Sequence, residues 1–134
     1  MAQSKLTTRS QEAVTAAQRL AVDRGQAALE PLHLLVALLE QSDGIAGPLL
    51  QATGADPADI RAKAEAAVRR LPSVSGATVP APAPSRELLR VLNLASEQAS
   101  ALGDEYVSTE HLLVGLADSD GEAGTVLKLS LIHI

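Results

Sequence analysis

A chain of 134 residues, 46% of them apolar and almost all of those Ala, Leu or Val, carries enough apolar substance for one domain or for two half-domains sharing a core. Eleven basic residues against sixteen acidic ones leave a net charge of −5, which argues against nucleic acid and anionic membranes as partners. No cysteine is present, so disulfides, thiolate metal sites and a cysteine nucleophile are all excluded.

The opening "MAQSKLTTRSQEAV" has no apolar signal core, and no stretch approaches the roughly 18 apolar residues of a membrane span, so a cytoplasmic location is expected. A first helix is predicted to start at Thr8, with Gln11 three residues later as a capping-box partner and Thr7 as the alternative cap. Its face is Ala13, Val14, Ala17, Leu20 and Ala21, and Gly25 supplies a left-handed stop. Pro31 opens a second helix, a position where its missing N–H costs nothing, and Leu32 to Leu39 is apolar nearly all round, which makes this helix central. A short third helix runs from about Ile45 to Thr53 and stops at Gly54. Asp56 as N-cap and Pro57 at the first helical position start a fourth, with Ile60, Ala64, Ala67, Val68 and Leu71 on one face.

The stretch "PSVSGATVPAPAP", Pro72 to Pro84, holds four of the seven prolines and no charge, and reads as an extended connector between two packed halves. Ser85 then caps a fifth helix, Arg86 to Leu102, with Leu88, Leu92, Ala95 and Ala99 on one face and Gly103 as its stop. Here a repeat becomes measurable. A shift of 78 residues superposes Ala17 on Ala95, Ala21 on Ala99, Gly25 on Gly103 and His33 on His111, and "LLV" and the following leucine of one copy on those of the other: eight identities in the 22 positions from Ala17 to Leu38. With one residue deleted, Asp43, Gly44, Ala46, Gly47 and Leu50 meet Asp120, Gly121, Ala123, Gly124 and Leu127. Duplication of a four-helix unit is the simplest reading, with each unit burying its apolar helix against the other.

Chemistry-bearing patterns are few. The chain contains no G-x-x-x-x-G-K-[ST] phosphate loop and no H-E-x-x-H zinc pair, and His33 and His111 each stand alone at a helix start. Read on dipole and turn preferences, Glu110 complements the sixth helix's positive end, Asp104 and Glu105 are solvated turn residues, and the two histidines are hydrogen-bonded parts of the repeat core.

The segments "KLTTRSQEAV", "LEPLHLLVALLEQSDGIAGPLL", "RLPSVSG" and "PSRELLRVLNLASEQASALGDEYVSTEHLLVGL" together resemble the duplicated N-terminal domain of Clp ATPases, over about Lys5 to Lys128. "EPLHLL", "RLP" and "LLRVLNLA" place the resemblance closer to the ClpB disaggregases than to the ClpC family. The resemblance implies an all-α fold of two pseudo-repeated four-helix units and a role in recruiting unfolded or aggregated polypeptide through a groove between the repeats. It implies no catalysis and no cofactor in this stretch. In the longer parent it implies a homohexameric AAA+ ATPase ring using ATP and magnesium, cooperating with a DnaK-type chaperone. The family's groove positions match Thr7, Asp104 and Glu110 here, so these are the expected substrate-binding residues, with no catalytic, cofactor or metal residues.

On this reading repeat one spans about 5–71, the linker 72–84 and repeat two about 85–128, the domain as a whole 1–128. After Leu127 the chain reads "KLSLIHI", without counterparts of the Gly54 stop and the Asp56-Pro57 start. "LSLIHI" resembles a translated sequencing adapter, so 129–134 is expected to be a non-native tail, with the second repeat incomplete and apolar surface left on helices five to seven. Two alternatives accompany this reading. One is the adaptor- or degron-binding domain of a ClpC-like protease machine, or a stand-alone domain of the same fold. The other is a small metal-dependent enzyme using His33, His111 and Glu110.

Overall fold

The computed structural model describes residues 5–74 and 81–132, with the side chains of 129–132 left aside. It is all-α apart from four two-residue strands. In chain order the elements are β1 (Lys5–Leu6), α1 (Thr8–Asp23), β2 (Ala28–Leu29), α2 (Pro31–Glu40), α3 (Ala46–Ala52) and α4 (Pro57–Arg69), followed by β3 (Ala83–Pro84), α5 (Arg86–Ala101), β4 (Tyr106–Val107), α6 (Thr109–Ala117) and α7 (Glu122–Ile132). Residues 75–80 of the expected connector lie outside the described residues; its end, Ala83–Pro84, is extended as expected. The backbone of α7 continues as helix into the stretch read as a tail.

The helix starts follow the local chemistry, with one correction. The cap of α1 is Thr7, whose hydroxyl accepts from Ser10 N–H at 3.2 Å, while Gln11 reaches back to the Leu6 carbonyl at 3.1 Å instead of boxing with Thr8. Thr8 is therefore the first helical residue. Ser85 accepts from Leu88 N–H at 3.0 Å and Asp56 from Ala58 N–H at 3.0 Å, each satisfying a donor with no partner inside its helix. Gly25, Gly54 and Gly103 all take positive φ where helices end.

α2 and α6 are the central helices. Every residue of α2 from Pro31 to Leu38 is buried, as are Leu112, Leu113 and Leu116 of α6. α1 packs on α2, α5 on α6, and α2 meets α6 across the repeat boundary, so the two units share one core. The face of α5 is shifted from expectation: Val91 is fully buried beside Leu88, Ala95 and Ala99, and Leu92 lies only at the margin. Gly115 explains how α6 comes so near. A Cβ there would lie 2.8 Å from the Val91 carbonyl oxygen, so the α5 backbone occupies the space a side chain would take.

The strands exchange reciprocally between repeats. β1 pairs in parallel with β4 (Lys5 with Tyr106, Leu6 with Val107), and β2 pairs in parallel with β3 (Ala28 with Ala83, Leu29 with Pro84). The shift of 78 that relates the sequences turns each pair into the other, and the flanking bonds agree: Thr7 N–H donates to Val107 O at 3.1 Å and Ser85 N–H to Leu29 O at 2.9 Å. Each repeat's leading strand is thus tied to the other repeat's turn before its central helix. The symmetry ends at α4, which packs on α2 and α7 and has no counterpart among the described residues. Val114 is 37% exposed where its counterpart Val36 is 1% exposed.

Candidate functional site

The turn between α5 and α6 builds the candidate site. α5 ends at Ala101 with Leu102 as its C-cap, Gly103 takes φ +76°, and Asp104 N–H closes the helix end by donating to Ala99 O at 2.8 Å. Tyr106 and Val107 then pair with β1, and Ser108 caps α6. This path encloses a concavity of about 340 Å³ lined by Leu102, Asp104, Glu105, Tyr106, Ser108, Glu110 and His111. Asp104 and Glu110, expected from sequence, therefore face one space, together with Glu105. Tyr106 is 46% exposed, with the Lys5 ammonium 5.9 Å from its ring centre.

Thr7 does not line that concavity. Its hydroxyl donates to Ser10 Oγ at 3.0 Å, and Ser10, itself fully buried, donates to Val107 O at 2.9 Å. Thr7 thereby fixes the strand pair on which Tyr106 sits.

The two histidines are bound alike. Glu30 N–H donates to His33 Nδ1 and Ser108 N–H to His111 Nδ1, both at 2.9 Å. A ring nitrogen that accepts carries no proton, so in both rings the proton sits on Nε2. That N–H donates to Gln26 Oε1 at 2.6 Å in the first repeat and to Asp104 Oδ2 at 3.0 Å in the second. Gln26 and Asp104 are themselves related by the shift of 78. Sequence reading passed over Gln26, although a polar residue seven positions before each histidine was the available signal. With both nitrogens engaged, neither ring offers a lone pair to a metal, and among the described residues no three His, Asp or Glu side chains form a metal-binding group. Burial pushes His33 down to about 4, so it is neutral at ordinary pH.

A second feature lies between the repeats. A small apolar groove of about 60 Å³ is lined by Val14, Ala17 and Gln18 of α1, Leu29, Leu34 and Pro84 beneath, and Leu88 and Leu92 of α5. In the first repeat, the surface corresponding to the Asp104 turn is overlaid: Leu71 to Val74 lie along Gly25 to Glu30, and Val74 N–H donates to Gly25 O at 2.9 Å.

Comparison with known proteins agrees with this architecture. The family described as "Clp repeat (R) N-terminal domain" matches residues 5–130. The chain is 50% identical over 123 residues to the chaperone protein ClpB of Propionibacterium freudenreichii, covering 92% of this chain and 14% of that protein. It is 47% identical over 121 residues to the chaperone protein ClpB of Mycobacterium tuberculosis, covering 90% of this chain and again 14% of the relative. The chain thus spans about one seventh of the length of these relatives. Among solved structures it is similar to the Hsp104 N-terminal domain of Candida albicans, with a TM-score of 0.79 at 22% identity, over 96% of this chain and 89% of that one, a likeness of fold alone.

Proposed function

The chain belongs to the Clp repeat N-terminal domain family, and from that premise we propose that it recruits unfolded or aggregated polypeptide for a ClpB-like, ATP-driven disaggregase. The observation that carries this reading is the pairing of two surfaces: an apolar groove between the repeats, and a concavity walled by the carboxylates of Asp104, Glu105 and Glu110. Unfolded chains expose apolar side chains that folded ones bury, and a small apolar groove takes them without demanding a sequence. The carboxylates add preference for segments that also carry Lys or Arg. Thr7 contributes by holding the β1–β4 pair beneath Tyr106. In this proposal the longer parent is a cytoplasmic homohexamer that uses ATP and magnesium and works with a DnaK-type chaperone, while this domain performs capture only.

Titration of a fluorescently labelled, denatured model protein tests it. Asp104→Ala combined with Glu110→Ala is expected to weaken binding with the helical circular dichroism spectrum intact; equal affinity in the variant removes these residues from the site.

A further inference from the structure

Both repeats hold histidine Nδ1 by a backbone N–H, with Ser108 Oγ also 3.0 Å from the ring in the second, and they finish the other nitrogen differently. In the first, Gln26 accepts from His33 Nε2–H and passes its own Nε2–H to Val68 O at 2.8 Å, so the amide is 3% exposed and tied inside the fold between α2 and α4. In the second, the same position is Asp104, whose side chain is half exposed on the wall of the concavity and uses Oδ2 for His111. Among the described residues Oδ1 makes no hydrogen bond. His111 is only 6% exposed and is anchored at its other nitrogen by Ser108 N–H at 2.9 Å. Asp104's backbone is anchored as well, through its N–H to Ala99 O.

We infer that His111 is a positioning residue for ligand capture: its Nε2–H fixes Asp104 so that the second repeat presents one preset carboxylate oxygen to a cationic side chain of an unfolded polypeptide. This rests on the recruiting reading above. A carboxylate on an exposed turn otherwise samples several rotamers and loses that freedom when it engages a ligand. Holding it in advance removes part of that loss, worth about two- to tenfold in Kd for one immobilised side chain. The buried ring is suited to this task because its acceptor nitrogen is already engaged, so its orientation does not depend on the ligand. The first repeat cannot offer the same group, since Gln26 carries no charge and both ends of its amide are occupied.

The test is a double-mutant cycle on the whole chain, read by anisotropy of a fluorescein-labelled unstructured peptide of Leu, Val and Arg. His111→Gln keeps an acceptor for Ser108 N–H, because Gln is a natural capping-box residue at this third helical position, and it removes the ring that holds Asp104. The expected result is a loss of about two- to tenfold for His111→Gln alone and none when it is added to Asp104→Ala. Equal losses in both backgrounds mean a general structural role and overturn the positioning role, as does unchanged affinity in His111→Gln while Asp104→Ala binds weakly. Unchanged affinity in Asp104→Ala overturns both this inference and the part of the recruiting reading that uses Asp104. Should His111→Gln unfold, the native chain decides by nitrogen-15 NMR: an Nε2-protonated His111 whose N–H is protected from exchange, and loses that protection in Asp104→Ala, is expected. An Nδ1-protonated ring overturns the inference.

Discussion

His33 Nε2 donates to Gln26 Oε1 at 2.6 Å where the ring is fully buried and the amide 3% exposed, so the first repeat is closed around a histidine that must stay neutral. Its folded pKa is lowered to about 4 by burial, against 6.5 ordinarily. As pH falls through 6.5 the unfolded chain takes up a proton that folded His33 refuses until about pH 4. In that window the unfolded state binds more protons, so stability falls as pH is lowered; the contribution is intact above the window and lost below it, on the order of 3 kcal/mol. Urea unfolding near neutral pH and near pH 5 should show the loss, and His33→Gln, which keeps the helix start, should flatten it. A His33 ring that titrates in its ordinary range by NMR would contradict this account.

Gly25 and Gly103 end equivalent helices with φ +65° and +76°, yet their surroundings differ. A Cβ on Gly25 would lie 2.5 Å from the Val74 carbonyl oxygen, whereas one on Gly103 would meet nothing within 4 Å. Gly103→Ala is therefore expected to cost only the left-handed strain, about 1–2 kcal/mol. Gly25→Ala should cost more, because the linker residues that overlie the turn must also move. Equal midpoints for the two variants in denaturant would show that the Val74 contact adds nothing.

Much of this architecture was legible because duplication doubles each signal. Ser85 with Leu88, Asp56 with Pro57, and the paired glycines each specify a helix end by local chemistry, and the structure uses them all. The central status of α2 followed from its lack of a polar face. What escaped the sequence depends on approach between distant elements. The reciprocal strand exchange joins residues 101 positions apart in one pair and 55 in the other through backbone groups, which carry no side-chain pattern. Val91 enters the core while Leu92 packs at its margin, and α6 closes on the α5 backbone at Gly115, a contact invisible in either helix alone. Of the candidate site, Asp104 and Glu110 line one concavity built by the second repeat's own turn rather than by both repeats, while the hydroxyl of Thr7 bonds to Ser10.

Gly115 offers a direct test of that close approach. Replacing a helical glycine by alanine ordinarily stabilises by about 1 kcal/mol through propensity. Here the added methyl would sit 2.8 Å from Val91 O and 3.5 Å from the Ala95 side chain, so α6 must withdraw from α5. Overpacking of this kind costs about 1–3 kcal/mol, enough to reverse the sign. Gly115→Ala should thus lower the midpoint in urea, and a raised midpoint would mean that the helices separate at no cost.

The two parts of the proposed recruiting surface rest on different physics, and salt separates them. Asp104, Glu105 and Glu110 are all exposed at the concavity, so their attraction for Arg or Lys acts through solvent and is screened over about 10 Å at 0.1 M salt and about 3 Å at 1 M. The small groove walled by buried Ala17 and Leu88 would bind instead through the apolar surface that Val14 and Leu92 still leave in water, an attraction salt does not screen. An unstructured peptide bearing arginines should therefore lose about three- to tenfold in affinity across that range of salt, the scale of a few exposed ion pairs. An uncharged apolar peptide of the same length should hold its affinity or gain slightly. Asp104→Ala with Glu110→Ala should bring the two slopes together. Parallel slopes in the unaltered chain would mean that the carboxylates take no part in capture, and the apolar groove alone would carry the proposed function.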